Sequence, residues 1–247
     1  MLGVAGCRAP LPVHPWKGAD AAVRLMAERD SRIRTVQSAA RVVLNDADAG
    51  SVTLDAAVVA APPDQFRIRA WKLGHAVFDI TVTSEGVWVK ADEMQGRPAN
   101  AAIMPSEAFD AGSLAEAWRM FTGRAFVNPD GKVEPGVDFV DRGGPEFSLS
   151  RVVSDRGNSR NTEPLRIVCD VDRATFTARR YRMFAGERDV GTLTLADYQS
   201  VDGIVFPRRL TASTGQGTVE IVLDDPEFNL SLAPEAFMPP AAARRRE

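Results

Sequence analysis

The feature that most limits how this chain can fold is a period-two alternation of apolar and polar residues between positions 34 and 91. In its clearest part, Phe78, Ile80 and Val82 fall on one side of an extended chain, and the residues between them are polar. Turn residues interrupt the alternation at the short, even spacing that antiparallel hairpins need. We therefore predict a sheet with one apolar face, which must be covered by another layer, close on itself, or remain as a concave apolar site.

Two sets of five strands are predicted, each as a meander in which consecutive strands are neighbours. The predicted strands are residues 39–44, 51–60, 65–73, 76–84 and 87–91 in the first set, and residues 165–171, 175–184, 192–200, 204–213 and 218–223 in the second. Residues 147–153 are a further candidate strand. Asp202-Gly203, between two runs of the second set, is a strong hairpin signal.

A helix that covers the sheet is predicted before the first strands. Within residues 19–33, Ala22, Val23, Met26 and Ala27 share one side at helical spacing. The expected role of this helix is to pack its apolar stripe on the sheet.

A second helix is predicted at residues 113–122, where Trp118 and Phe121 recur at helical spacing. A capping box opens this segment, and Gly123 is a natural stop after it. If the sheet is curved, this helix would plug its concave face, and residues 92–110 beside it would act as a lid.

Composition narrows the class of protein. The chain has 247 residues and a formal net charge of −3, and its 45% apolar and 26% charged residues are ordinary for a folded protein. We expect one domain over residues 18–240 and a short tail at residues 241–247. No basic stripe alternates with aromatic residues, so no nucleic-acid partner is expected. No apolar run approaches the roughly 20 residues of a membrane-spanning helix.

The sequence also lacks the motifs of common enzymes, and we predict that it is not one. It contains no Gly-x-Ser-x-Gly elbow, no His-Glu-x-x-His pair, no Cys-x-x-Cys pair and no phosphate-binding glycine loop. The two histidines, His14 and His75, leave little material for a metal site, and no cofactor is expected. The acidic residues 224–227 follow a predicted strand, where acids in turns are common. Cys169 lies in an apolar run and is predicted to be a buried core residue.

The N-terminal cysteine lies in a different context. Val4-Ala5-Gly6 before Cys7 is similar to a bacterial lipobox, in which an aliphatic residue and two small ones precede a cysteine that is diacylated. The charged region and most of the apolar region of a signal peptide are missing before it. We interpret residues 1–17 as a truncated signal and lipobox, with Cys7 as the lipidation site, followed by a proline-rich tether that would hold the domain away from a membrane. An unmodified cysteine is the alternative.

Several short motifs are similar to those of a known family. They are Tyr198-Gln199-Ser200-Val201-Asp202-Gly203-Ile204-Val205-Phe206-Pro207, Ile221-Val222-Leu223, Asn229-Leu230-Ser231-Leu232 and Phe237-Met238-Pro239, together with Pro63, Phe66-Arg67-Ile68 and Glu85-Gly86-Val87-Trp88-Val89 in the first set. Through these motifs the chain resembles the LolA/LolB-like outer-membrane lipoprotein sorting family of bacterial envelopes, over most of residues 33–239.

The resemblance implies an α+β, mainly β fold: a curved antiparallel half-barrel of about eleven strands, closed by helices, whose apolar cavity holds acyl chains of lipoproteins or lipids. A lipidated Cys7 would place the chain with the family's membrane-anchored receptor, in the bacterial envelope, facing the periplasm, with the outer membrane favoured. That receptor presents an apolar residue on a protruding loop, for which Leu73-Gly74 is the nearest candidate. We expect a monomer.

Alternation and resemblance together select a candidate lining for this cavity. The lining residues are Phe66, Ile68, Phe78, Ile80, Val82, Val87, Val89, Trp118 and Phe121. Small neighbours such as Ala56, Ala57 and Ala70 would favour an open pocket, and bulky neighbours a filled core. Since a packed core and an acyl pocket need the same residue types, an envelope sensor or a structural lipoprotein with a side-chain-filled core is the alternative.

Overall fold

The computed structural model of the chain describes residues 10–46, 50–62, 64–91, 93–94, 97–98, 119–120, 125–127, 132–153, 163–241 and 243–246. Three of the predicted site residues, Cys7, Trp118 and Phe121, lie outside these ranges, as do most of the helix predicted at residues 113–122 and most of the lid predicted at residues 92–110.

Within the described residues the chain forms one long helix, α1 (Ala19–Ser31), fifteen strands and a short 3₁₀ helix (Pro234–Phe237). The strands are β1 (Val36–Asp46), β2 (Gly50–Ala61), β3 (Gln65–Lys72), β4 (His75–Thr83), β5 (Gly86–Ala91), β6 (Glu93–Met94), β7 (Arg97–Pro98), β8 (Asp138–Asp141), β9 (Glu146–Val153), β10 (Leu165–Asp172), β11 (Ala178–Ala185), β12 (Arg188–Val201), β13 (Ile204–Thr214), β14 (Gly217–Phe228) and β15 (Arg244–Arg246).

Thirteen of the described strands form one antiparallel sheet in the order β15-β5-β4-β3-β2-β1-β14-β13-β12-β11-β10-β9-β8, and β6 pairs with β7. The large sheet is curved and, over the described strands, does not close, so the predicted half-barrel is confirmed. Both predicted meanders are present as β1–β5 and β10–β14. Two short strands, β8 and β15, extend the sheet beyond the expected number, because three or four residues are too few to give a period-two signal.

One face of the sheet is apolar and forms the core, which we call the inner face. Along β1, burial alternates: every second residue from Val36 to Leu44 is buried, and Gln37, Ala39 and Arg41 between them are exposed. Helix α1 packs its apolar stripe against this core, as predicted, and its closest strand is β13. The other face of the sheet, the outer face, carries most of the charged side chains of the strands.

The N-terminal segment contacts the sheet from His14 onward, before residue 18, where the domain is predicted to begin. Trp16 packs among three aromatic rings of β8, β9 and the turn after β10, with centroids 5.1–6.1 Å away: Phe139, Phe147 and Phe176. His14 stacks on Phe176 at 5.6 Å, and its backbone N–H donates to the carbonyl of Ala174 at 2.8 Å. Residues 14–16, which the sequence predicts to be part of the proline-rich tether, therefore pack on the folded domain. The prediction was wrong here because the aromatic partners lie far along the sequence.

The C-terminal segment crosses the outer face of the first meander. Its 3₁₀ helix packs on β3 and β4, with Phe237 buried and the carbonyl of Ala236 accepting a hydrogen bond from Arg67 Nη1 at 3.2 Å. The chain then adds β15 beside β5, at the edge of the sheet. Residues 244–246, which the sequence placed in a tail, thus extend the sheet.

Substitution Trp16→Ala is expected to lower the free energy of unfolding by about 2–3 kcal/mol, because it removes the ring at the centre of the aromatic cluster. Urea denaturation measures the change. Val13→Ala, at a side chain that is 74% exposed, is the control and should change the stability by less than about 0.5 kcal/mol. Equal stability of the Trp16→Ala variant and the parent protein would contradict the docking of this segment.

Candidate functional site

The strand register brings the predicted lining residues of β3, β4 and β5 together on the inner face. The two complete cross-strand rows are Phe66–Val82–Val87 and Ile68–Ile80–Val89, and Phe78 pairs with Ala70 in the next row. Directly opposed residues of this kind have Cβ atoms about 4.5–5.5 Å apart, so these side chains form one continuous apolar surface. Trp118 and Phe121, the remaining predicted lining residues, lie outside the described part of the chain.

This apolar surface is covered. Phe66 is half-buried, and the other lining residues of β3, β4 and β5 are between 1% and 8% exposed. They belong to one core cluster that also contains Met26 of α1, Met120 and Phe126. Residues of a packed core and residues that line a closed pocket are both buried by the protein's own side chains. Ligand binding on this surface therefore stays a prediction.

A small cavity lies beneath α1, at the other end of the inner face. Its volume is about 20 Å³, and its walls include Met26 and Asp30 of α1, Met120, Tyr181 of β11 and Tyr198 of β12. One water needs about 10–15 Å³, so the cavity has room for a single water and none for an acyl chain. A larger ligand at this position would have to displace the side chains that line the cavity.

The two tyrosines in the wall of this cavity stay uncharged near neutral pH. Burial raises the pKa of Tyr181 and of Tyr198, and the Tyr198 hydroxyl donates to the carbonyl of Ala178 at 2.6 Å. Burial also raises the pKa of the Cys169 thiol, which has no exposed surface. A protonated, inaccessible thiol is unreactive, so the prediction that Cys169 is a core residue is confirmed.

The arrangement of the described residues bears on metal binding and on membrane spanning. Among those residues, no group of three or more His, Cys, Asp and Glu side chains is placed to hold a metal ion. No helix in the same part of the chain is long and apolar enough to cross a membrane.

The turn between β3 and β4 presents an exposed leucine in a strained backbone conformation. Leu73 has φ +50° and Gly74 has φ +82°, and the Leu73 side chain is 90% exposed. Two successive positive φ values favour Asn-Gly in a two-residue hairpin, and a leucine in this conformation costs about 1–2 kcal/mol. In the sequence, Leu73-Gly74 is identified only as the nearest candidate for the protruding apolar residue that the resemblance implies. The strain was not visible there, since the sequence alone does not give the φ of a leucine.

No family model matches the sequence, and no curated protein matches it. The fold, however, is similar to several solved structures. A LolA superfamily protein from Nitrosomonas europaea has a TM-score of 0.56 at 13% identity, covering 87% of this chain and 97% of that chain. A DUF1329 family protein from Desulfovibrio piger has a TM-score of 0.57 at 16% identity, covering 89% of this chain and 97% of that chain.

A third solved structure is a domain from Vibrio parahaemolyticus named for outer membrane lipoprotein sorting. Its TM-score is 0.54 at 16% identity, covering 89% of this chain and 97% of that chain. At these identities the similarity concerns the fold. The chain therefore has a LolA/LolB-like fold, which confirms the fold that the sequence motifs implied.

Substitution Ile80→Ala is expected to lower the free energy of unfolding by about 2–4 kcal/mol, because the inner face is packed in the unliganded protein and the variant would leave a cavity. Chemical denaturation measures this change. Val140→Ala, at the exposed edge strand β8, is the control and should have little effect. A loss of less than about 1 kcal/mol for Ile80→Ala would show that the space in front of β4 is open, not filled.

Proposed function

We propose that this protein is a non-catalytic protein of the bacterial envelope that binds acyl chains of lipoproteins on the inner face of its half-barrel. The protein would be a monomer that is anchored to a membrane through a lipid on Cys7 and faces the periplasm, with the outer membrane favoured. Its role would be to take part in localising lipoproteins. The LolA/LolB-like fold supports this class of function, and the observation that carries the proposal is the exposed, strained Leu73.

Leu73 lowers the stability of the isolated protein in two ways. Its left-handed backbone conformation lowers the free energy of unfolding by about 1–2 kcal/mol. Full burial of a leucine side chain would contribute roughly 1.5–3 kcal/mol, and the exposed Leu73 side chain does not make this contribution. A second molecule that buries this side chain would recover the second of these contributions. An apolar contact at the tip of a hairpin is what the resemblance to the membrane-anchored receptor implies, and it fits transfer of a lipid-modified partner.

The inner face supplies the second part of the proposal. Each CH₂ group removed from water contributes about 0.8 kcal/mol, so half of a long acyl chain would contribute several kcal/mol before the cost of ordering it. Because the face is covered, binding requires the covering side chains to move. Met120, which lies within the predicted plug helix, and Phe126, which follows it, are both buried in the core cluster.

The length of the N-terminal segment limits how far the domain can lie from the membrane to which Cys7 would be anchored. The folded domain begins at His14, so the stretch from Cys7 to His14 spans at most about 25 Å when extended. The domain would therefore stay close to the membrane surface, not far out on a long tether.

The alternative is a sensor or structural lipoprotein whose inner face is permanently filled by side chains. The near-complete burial of the predicted lining and the small size of the cavity beneath α1 favour this alternative. Binding of an acylated ligand decides between the two.

Substitutions Ile80→Asp and Val82→Asp, made separately, are expected to abolish binding of a fluorescent triacylated peptide, because a carboxylate on the inner face opposes an acyl chain. Thr53→Asp, at an exposed position of β2, is the control and should bind like the parent protein. Circular dichroism selects the variants that fold, and Ile80→Thr, which keeps the branched shape, replaces any that do not. Unchanged binding in folded variants would remove β4 from the site.

Substitution Leu73→Asn is expected to slow transfer of the same peptide from the protein to lipid vesicles by at least tenfold. Asn is favoured before Gly in this turn, so the variant should be as stable as the parent protein or more so, and the loss would report the missing apolar contact. Val152→Asn, at a side chain that is 53% exposed on β9, is the control for an exposed apolar residue elsewhere. Transfer at the parental rate in Leu73→Asn would contradict the role of this turn.

A further inference from the structure

The outer face of β3, β4 and β5 carries a cluster of charges around one carboxylate. In the strand register, Asp79 of β4 lies between Arg69 of β3 and Lys90 of β5. Its carboxylate is nevertheless bound by Arg67, whose Nε donates to Oδ1 at 2.9 Å and whose Nη2 donates to Oδ2 at 2.7 Å. Both oxygens are thus bound by the same guanidinium, and the hydrogen bond with Asp79 raises the pKa of Arg67.

The two residues opposite Asp79 on the neighbouring strands, Arg69 and Lys90, form no ion pair with it. Neither Arg69 nor Lys90 makes a hydrogen bond or an ion pair in the part of the chain that the structure describes. On the far side of Arg69, its register partner on β2 is Ala57, which carries no charge. The cluster therefore holds three cations against one carboxylate.

A pocket lies between these side chains. Its volume is about 100 Å³, several times what one water needs, and the described residues in its wall are Arg67, Arg69, Ala76, Phe78, Asp79, Lys90 and Pro240. Pro240 belongs to the C-terminal segment that crosses the outer face after the 3₁₀ helix. The C-terminal segment thus contributes a wall to a cationic pocket on the surface of the sheet.

We propose that this pocket binds a phosphate group through Arg69 and Lys90. A guanidinium donates two parallel hydrogen bonds to phosphate oxygens, and an ammonium adds a compact charge beside it. Arg67 and Asp79 lie in the same wall and bind each other through two hydrogen bonds. This pair therefore fixes the wall of the pocket, and the Asp79 carboxylate does not compete with the phosphate for Arg69 and Lys90. The excess of two positive charges is sufficient to balance inorganic phosphate, and it also exceeds the single negative charge of a phosphodiester headgroup.

Two sources could supply this phosphate. Arg69 lies near the end of β3, four positions before Leu73 in the following turn. The headgroup of a membrane lipid could therefore reach the pocket while Leu73 contacts the acyl region of the membrane. Inorganic phosphate in solution is the other source. The pocket is on the opposite face of the sheet from the proposed acyl site, so this inference does not depend on acyl binding.

The test compares three full-length proteins, each with Cys7→Ser so that no lipid anchor contributes. The first is otherwise unchanged, the second carries Arg69→Gln with Lys90→Gln, and the third carries Arg142→Gln with Arg188→Gln. Arg142 and Arg188 are exposed positions outside the pocket, so the third protein loses the same formal charge elsewhere. Arg67 and Asp79 are left intact, because breaking a buried pair would destabilise the sheet.

Two titrations are made at constant ionic strength: inorganic phosphate followed by calorimetry, and vesicles with and without phosphatidylglycerol followed by sedimentation. We expect the pocket variant to bind at least tenfold more weakly than the charge-matched control. An effect with inorganic phosphate identifies the free ion as a ligand, and an effect only with phosphatidylglycerol vesicles identifies the lipid headgroup. Binding of the triacylated peptide should be equal in all three proteins.

The inference is overturned if the unchanged protein binds neither probe. It is also overturned if the pocket variant and the charge-matched control lose affinity equally, because the effect would then follow net charge and not the pocket. A loss of triacylated-peptide binding in every protein would count against the acyl site alone and would leave the phosphate result to be judged separately.

Discussion

The pairing of β1 with β14 is the contact on which the rest of the structure depends. It places Val36 opposite Phe228 and Asp46 opposite Gly217, and so joins two meanders that are each built from local hairpins. At Gly217 a Cβ atom would overlap the carbonyl oxygen of Asn45, so the close approach of the two strands requires glycine at this position. Since this pairing closes the longest loop of the fold, we expect it to form late and to limit the folding rate.

Local signals in the sequence were sufficient to predict the strands of both meanders, the cover helix and the sharing of one face by Ile68, Ile80 and Val89. These features follow from alternation and turn residues, which act over a few positions. The docking of Trp16, the added strand β15 and the pocket at Arg69 were not predicted. Each depends on segments that are distant in sequence, and an alternating pattern contains no information about which distant segment covers a given face.

The alternating pattern does not distinguish a ligand pocket on the inner face from a packed core. Apolar residues at alternate positions are needed both to close a core and to hold an acyl chain, and burial of these residues is consistent with either role. Surface features are more informative about binding than the inner face. A surface feature that lowers the stability of the isolated protein is explained most simply by contact with another molecule. Leu73, exposed at positive φ, and the unpaired cations Arg69 and Lys90 are features of this kind, and they lie towards the same end of β3 and β5.

Native mass spectrometry of the full-length chain, mixed with triacylated peptide and compared under denaturing conditions, tests most directly whether the half-barrel accepts acyl chains. We predict a one-to-one adduct of the peptide mass that disappears on denaturation and is absent when the same peptide lacks its acyl chains. A spectrum that contains only the unliganded protein across the titration would contradict the account and identify the inner face as a permanently filled core.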